Sequence, residues 1–256
     1  MTVLFETKTD FHDVKVIEEN SIRKLIFGNG FCSEQSAINL LEPHKHVFDY
    51  TLLAMHTLLF KPHPSSILVI GLGGGIMPME MEKYASNSII DVIELDPAIK
   101  SIAENYFFFK ESEKVKVYIG DAFYIVKKLP RKYDIIIIDA FFSNYIPFHL
   151  MSLEFFKSIN KIAKKSSVVA SNISSVHPSF FSQVNTIRSV FGDELYELKG
   201  PTNSFTNMLY ANKQKPKIIN MTKPLCHFLC MQPQKTIITE EIKNAPIFSL
   251  KSYENV

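Results

Sequence analysis

Nine glycines serve the whole 256-residue chain, and four of them, Gly71, Gly73, Gly74 and Gly75, fall in one five-residue window directly after the apolar run ILVI. Between a strand and a helix, glycine lets the backbone take positive φ and lets a ligand come close to the helix N-terminus. The spacing Gly71, Gly73, Gly75 is GxGxG. The dinucleotide fingerprint GxGxxG calls for glycine at position 76, where this chain has Ile76, so pyrophosphate binding is disfavoured. Three carboxylates follow in order: Glu94 in VIELD, Asp121 in YIGDAF and Asp139 in IIIIDAF. Each closes an apolar run of strand length, and the carboxyl ends of parallel strands are where open α/β sheets bind ligands. Glu94 comes 23 residues after Gly71, where a carboxylate can accept both hydroxyls of a ribose, with Asp96 as the neighbouring alternative or a helix cap before Pro97. The chemistry on offer is nucleoside binding beside a carboxylate, Asp139, able to take or direct a proton.

Such a site needs a scaffold, and the pattern supplies one. Ile67–Ile70, Ile89–Glu94, Val115–Ile119, Tyr133–Asp139 and Ser167–Asn172 read as strands, with helices over 76–84, 97–106, 122–128 and 152–163 between them. Continuous runs such as Ile135-Ile136-Ile137-Ile138 indicate strands buried on both faces, hence a doubly wound, mostly parallel α/β sheet of Rossmann-like type. Ahead of it, Val14–Ile26 and Phe31–Leu41 read as short antiparallel strands around an Asn20-Ser21 turn and a second turn at Gly28-Asn29-Gly30, followed by a helix over 47–60 that ends at Pro62-His63-Pro64. The organisation expected is a small β region over 1–45, a cofactor-binding domain over 46–212 and an extension over 213–256. That extension holds seven lysines against three glutamates and four prolines.

Composition excludes several classes. With 46% hydrophobic and 21% charged residues the chain is neither disordered nor fibrous, and no run reaches the roughly 18 apolar residues of a membrane helix. A net charge of +2 gives no footprint for nucleic acid, and the lysines of the extension lack interleaved aromatic residues, so a solvated appendage is expected there. Three cysteines, Cys32, Cys226 and Cys230, fit a reducing, cytoplasmic setting; Cys226-His227-x-x-Cys230 lacks a second paired knuckle, and no metal is expected.

The series ILVIGLGGG, VIELD, YIGDAF and YDIIIIDAF resembles the class I S-adenosylmethionine-dependent methyltransferase fold and, within it, the spermidine synthase (polyamine aminopropyltransferase) family. The resemblance covers about residues 14 to 212 and takes in Gln35, the Tyr50-bearing helix and the segment FTNMLYANK. It implies a polyamine-biosynthetic transferase using S-adenosylmethionine or its decarboxylated form. Gln35, the Gly71, Gly73, Gly75 turn, Glu94 on the ribose, and Asp121 with Ala122 at the adenine would hold the cofactor; Asp139 would be the base. It also implies a small amine as acceptor and a homodimer paired through the N-terminal strands.

The chain departs from that family at two places. Gly74 stands where GGGDGG carries an aspartate, and Asp139-Ala140-Phe141-Phe142 replaces DSSD, so the second loop aspartate is absent. Each lost charge-assisted hydrogen bond to a cationic amine is worth roughly 1.5–3 kcal/mol. Aromatic residues crowd the loop instead, and Tyr50, Phe142 and Tyr145 are the candidate acceptor pocket, either by cation–π attraction or as an apolar lid. His149 is a second proton-handling candidate, with His44, His46 and His177 further off. The expected activity is aminopropyl transfer to a small amine; methyl transfer and a non-catalytic nucleoside-binding protein of the same fold stand as alternatives.

Overall fold

A computed structural model describes residues 1–28, 33–43, 45–142, 145–200, 206–212, 234–235 and 240–250. Four antiparallel strands open the chain in the order β1 (Thr2–Lys8), β2 (Asp13–Glu19), β3 (Ile22–Phe27) and β4 (Ser33–Asn39). Asn20 and Ser21 both take positive φ, 50° and 62°, the two-residue hairpin turn expected between β2 and β3. β1 was not anticipated, because TVLFETK lies at an edge and buries little of its side-chain surface. Val14, Val16, Leu25, Phe27 and Ile38 form the buried face of this sheet. They pack against Ile76, Ile99, Ile102 and Phe107 of the main domain, which fixes the β region against α3 and α4.

The expected single helix over 47–60 is two, α1 (Asp49–Met55) and α2 (Thr57–Phe60), broken at the buried His56. Then come β5 (Ser66–Ile70), α3 (Ile76–Tyr84), β6 (Ile89–Glu94), α4 (Pro97–Tyr106), β7 (Val115–Ile119), α5 (Ala122–Ile125) and β8 (Tyr133–Ile138). They are followed by a 3₁₀ turn (Phe148–Met151), α6 (Leu153–Ile162), β9 (Ala163–Ser174), α7 (Phe180–Phe191), β10 (Leu195–Lys199) and β11 (Thr206–Asn212), with a two-residue β12 (Gln234–Lys235) and α8 (Glu240–Asn244) after them. α5 stops short of the expected residue 128, and α7 and β10 are additions to the sequence reading.

The main sheet runs β7-β6-β5-β8-β9-β11-β10-β12, parallel from β7 to β9 and antiparallel beyond. Every residue of β5 and β8 is buried, as the unbroken apolar runs require. One face is covered by α1, α2 and α3 and the other by α5, α6 and α7. Strand order reverses between β5 and β8, which opens a crevice at their carboxyl ends. Among the described residues no helix is long and apolar enough to cross a membrane.

Residues 240–250 pack onto the second face. Ile242 is 4% exposed within that core. The Leu153 N–H donates to the Phe248 carbonyl at 2.6 Å, and Glu154 accepts from the Ser249 hydroxyl and the Leu250 N–H at 2.7 and 3.0 Å. Ile242→Ala should lower the unfolding free energy by about 2–5 kcal/mol, read from denaturant midpoints.

Candidate active site

The crevice between β5 and β8 holds a cavity of about 320 Å³. Its floor is the glycine turn. The Gly71 N–H donates to the Ile93 carbonyl and the Asp139 N–H to the Ile70 carbonyl, at 2.9 and 2.8 Å, so the three strand ends are tied together. Gly71 has φ +99°, and a Cβ there would stand 2.1 Å from the Asp139 carbonyl oxygen; at Gly73, φ +55°, it would stand 2.7 Å from the Ser36 Oγ. Both glycines line the cavity, whereas Gly75 turns away from it and caps α3. The Gly74 N–H donates to Ser36 Oγ at 2.9 Å, so the N-terminal sheet closes directly on the turn. Gln35 and Tyr50 line the cavity from that side, with the Tyr50 hydroxyl donating to the Gln35 carbonyl at 2.7 Å. Burial, with the nearby Asp139, raises the Tyr50 hydroxyl far above its ordinary range and keeps it protonated.

Glu94 is 9% exposed, and burial raises its pKa against the hydrogen bonds that lower it. One carboxylate oxygen accepts the Leu72 N–H and the other the Asp96 N–H, each at 2.9 Å. A carboxylate oxygen has room for a further donor, so this arrangement presents two oriented acceptors to a diol. Asp96 does not join them. Its side chain caps α4 by accepting from Ala98 N–H at 2.9 Å, the role expected before Pro97.

Asp121 and Ala122 lie on the cavity wall. Asp121 caps α5 with one oxygen, and its other stands 3.1 Å from His149 Nε2. His149 thus ties the 3₁₀ turn after β8 across to the end of β7, with its ring edge-on to Phe123 at 5.9 Å.

Asp139 lines the cavity at the end of β8, where Asn172 Nδ2 donates to its Oδ1 at 2.8 Å. Burial pushes its carboxyl up to about 6, opposed by that hydrogen bond. Of the aromatic loop, Phe141 and Phe142 line the cavity; Tyr145 bridges to Phe142 through the backbone but is 47% exposed and does not line it. Phe148 packs edge-on against Phe248.

Among the lining residues that sequence reading missed are Glu34, Asn172 and His12. Asn172 closes the run Ser167–Asn172 read from the sequence and lies two residues before the end of β9, so its position carried a signal like that of the acids. His12, stacked on Phe27 at 4.0 Å and tilted against Phe142 at 4.4 Å, reaches the cavity from the β1–β2 turn, which no spacing reveals. His46 and His177 pair locally with Thr51 and Ser179 and are absent from the lining. No metal-binding group of His, Cys, Asp or Glu occurs among the described residues; Cys32, Cys226, His227, Cys230, His44 and Gly30 lie outside them.

A glycine cradle with no room for side chains, a carboxylate oriented by two backbone N–H groups and an acid at the neighbouring strand end fit an S-adenosylmethionine-type nucleoside. Residues 47–198 match the Spermine/spermidine synthase domain. The chain belongs to the spermine/spermidine synthase family. It is 35% identical over 215 residues to a polyamine aminopropyltransferase of Vibrio vulnificus, covering 82% of this chain and 72% of that one. In fold it is similar to a probable spermidine synthase from Corynebacterium glutamicum, with TM-score 0.76 at 17% identity over 97% of both chains. It is also similar to human methyltransferase-like protein 13 in complex with SAH, with TM-score 0.57 at 22% identity over 70% of this chain and 86% of that one. Gly71→Ala should cost about 1–3 kcal/mol of stability through backbone strain alone. The same variant should weaken S-adenosylhomocysteine binding more than tenfold in calorimetric titration, because the floor of the cradle must move.

Proposed function

We propose that this chain transfers an aminopropyl group from decarboxylated S-adenosylmethionine to a small primary amine. The observation that carries the reading is Asp139: a carboxylate with its pKa raised to about 6, in a cavity lined otherwise by the carboxylates Glu34, Glu94 and Asp121 and by two histidines. Neither lysine nor arginine lines that cavity among the described residues. A cationic donor suits such a wall, whereas intact S-adenosylmethionine brings a carboxylate that finds no cationic side chain there. The name of the Vibrio relative supports the same reading.

The sulfonium donor, when bound, supplies its own leaving group, a neutral thioether released as the amine nitrogen bonds to carbon. The protein's part is to hold, orient and deprotonate. Glu94 would take the ribose hydroxyls, the Gly71–Gly73 backbone would pass under the sulfonium side, and Gln35 and Ala122 would pack beside the nucleoside. Asp139 would take the proton of the attacking amine, with Asn172 fixing which oxygen faces it. Phe141 and Phe142 would shut water out. Exposed Val3 and Leu4 on β1 support pairing of two copies through the N-terminal sheet.

Asp139 must be ionised to accept a proton, so kcat/KM should fall about tenfold per pH unit below pH about 6. Asp139→Asn should lower kcat by 10²- to 10⁴-fold while leaving donor affinity within a few-fold, measured by thioether release and calorimetry. The folded state favours the protonated carboxyl, so its stabilising contribution is lost as pH rises through about 6. The same variant should therefore melt higher than the native protein at pH 8 and gain less at pH 5. Tighter binding of intact than of decarboxylated S-adenosylmethionine would favour methyl transfer instead.

A further inference from the structure

The turn that walls one end of the cavity is held by a segment far along the chain. Pro147 and Leu150, three residues apart at the 3₁₀ turn, line the cavity together with His149, whose Nε2 stands 3.1 Å from Asp121. Phe148 is absent from that lining and packs edge-on against Phe248, with ring centroids 5.1 Å apart. Phe248 belongs to the C-terminal extension, beyond the matched domain, which ends at residue 198.

Main-chain bonds fix Phe248 in place. Its carbonyl accepts the Leu153 N–H at 2.6 Å, one of the donors that the first turn of α6 leaves without a helical partner. Its N–H donates to Thr186 Oγ1 on α7 at 3.0 Å. On either side of it, the Ala245 carbonyl accepts from Asn185 Nδ2 at 2.6 Å, and Ser249 and Leu250 donate to Glu154. The segment is thus laced to both helices, and the Phe248 ring reaches from it to the turn. The turn is itself joined to the start of α6, because Ser152, which caps that helix, donates its hydroxyl to the His149 carbonyl at 2.7 Å. A shift of residues 245–250 would therefore pass to His149 by two routes, through the paired rings and through the start of α6.

We infer that Phe248 is a positioning residue for the nucleoside: it braces the turn so that Pro147, His149 and Leu150 stand preformed beside Asp121 and Ala122. This rests on the aminopropyl-transfer reading above and deepens it by adding a residue of the C-terminal extension to the donor site. A preformed wall need not be ordered when the ligand arrives, so loss of the brace shows as weaker binding. The probe is methylthioadenosine, the thioether that aminopropyl transfer would leave, titrated calorimetrically into the full chain well below each variant's unfolding midpoint. Phe248→Ala should raise its Kd about tenfold, and Phe248→Leu, which keeps the apolar volume, by less than about threefold. Ile242→Ala is the control, because it destabilises the same extension without removing the ring on Phe148; its Kd should stay within about twofold of the native value. Native affinity in Phe248→Ala, or an equal loss in Ile242→Ala, would overturn the inference while leaving aminopropyl transfer intact. Native protein that binds no methylthioadenosine would overturn both. Should Phe248→Ala fail to fold, Glu154→Gln loosens the same segment by removing one acceptor, and it should raise the Kd by about threefold. An unchanged Kd in that variant counts against the inference.

Discussion

Everything in this molecule that can do chemistry depends on how closely the carboxyl ends of β5 and β8 approach. The Asp139 carbonyl occupies the space that a Cβ on Gly71 would need, and the Asp139 N–H is bonded to the last carbonyl of β5. Only a residue without a side chain lets the two strand ends meet at this distance. Their meeting brings the Asp139 carboxylate beside the glycine turn. The N-terminal sheet then closes on the same turn through Ser36, which accepts the Gly74 N–H. Three segments far apart in sequence thus share one small set of backbone contacts.

The site stores its reactivity in burial. Glu94 is ionisable and almost without solvent, so backbone N–H groups from Leu72 and Asp96 must replace the lost water, and in doing so they orient both oxygens. Asp139 has less compensation, one side-chain amide, and its carboxyl is correspondingly held high. Burial raises both carboxyls, with Glu94 held by two backbone N–H groups and Asp139 by one side-chain amide. A group that folding would rather see neutral is a cost in stability accepted for function.

The aromatic loop after β8 brings Phe141 and Phe142 to the cavity wall. The sheet, the glycine turn and the strand-end acids are bound together by main-chain contacts, so they change little without loss of the fold. Phe141 and Phe142 sit on a connection whose backbone is tied down at fewer points, chiefly by the Phe142–Tyr145 bridge and the His149–Asp121 pair. Loops on a rigid scaffold are where specificity can shift at low cost to stability.

Much of this was legible in the sequence, for a local reason. Unbroken isoleucine runs reveal strands buried on both faces, a glycine cluster reveals a backbone without room for side chains, and an acid closing each strand reveals the ligand end of the sheet. Those signals lie within a few residues of one another, and they sufficed for the α/β fold and for Glu94, Asp121 and Asp139 as lining residues. The tertiary structure decided what depends on distant segments meeting. His12 reaches the cavity because the small sheet packs on α3 and α4, Gly75 serves α3 rather than the cavity, and Tyr145 stays outside although its neighbour Phe142 is within. Asn172 meets Asp139 only because β9 lies beside β8. Residue type and spacing determine which groups a strand can present at its end; which of them face the same cavity, and which are already paired there, is fixed by packing across the chain.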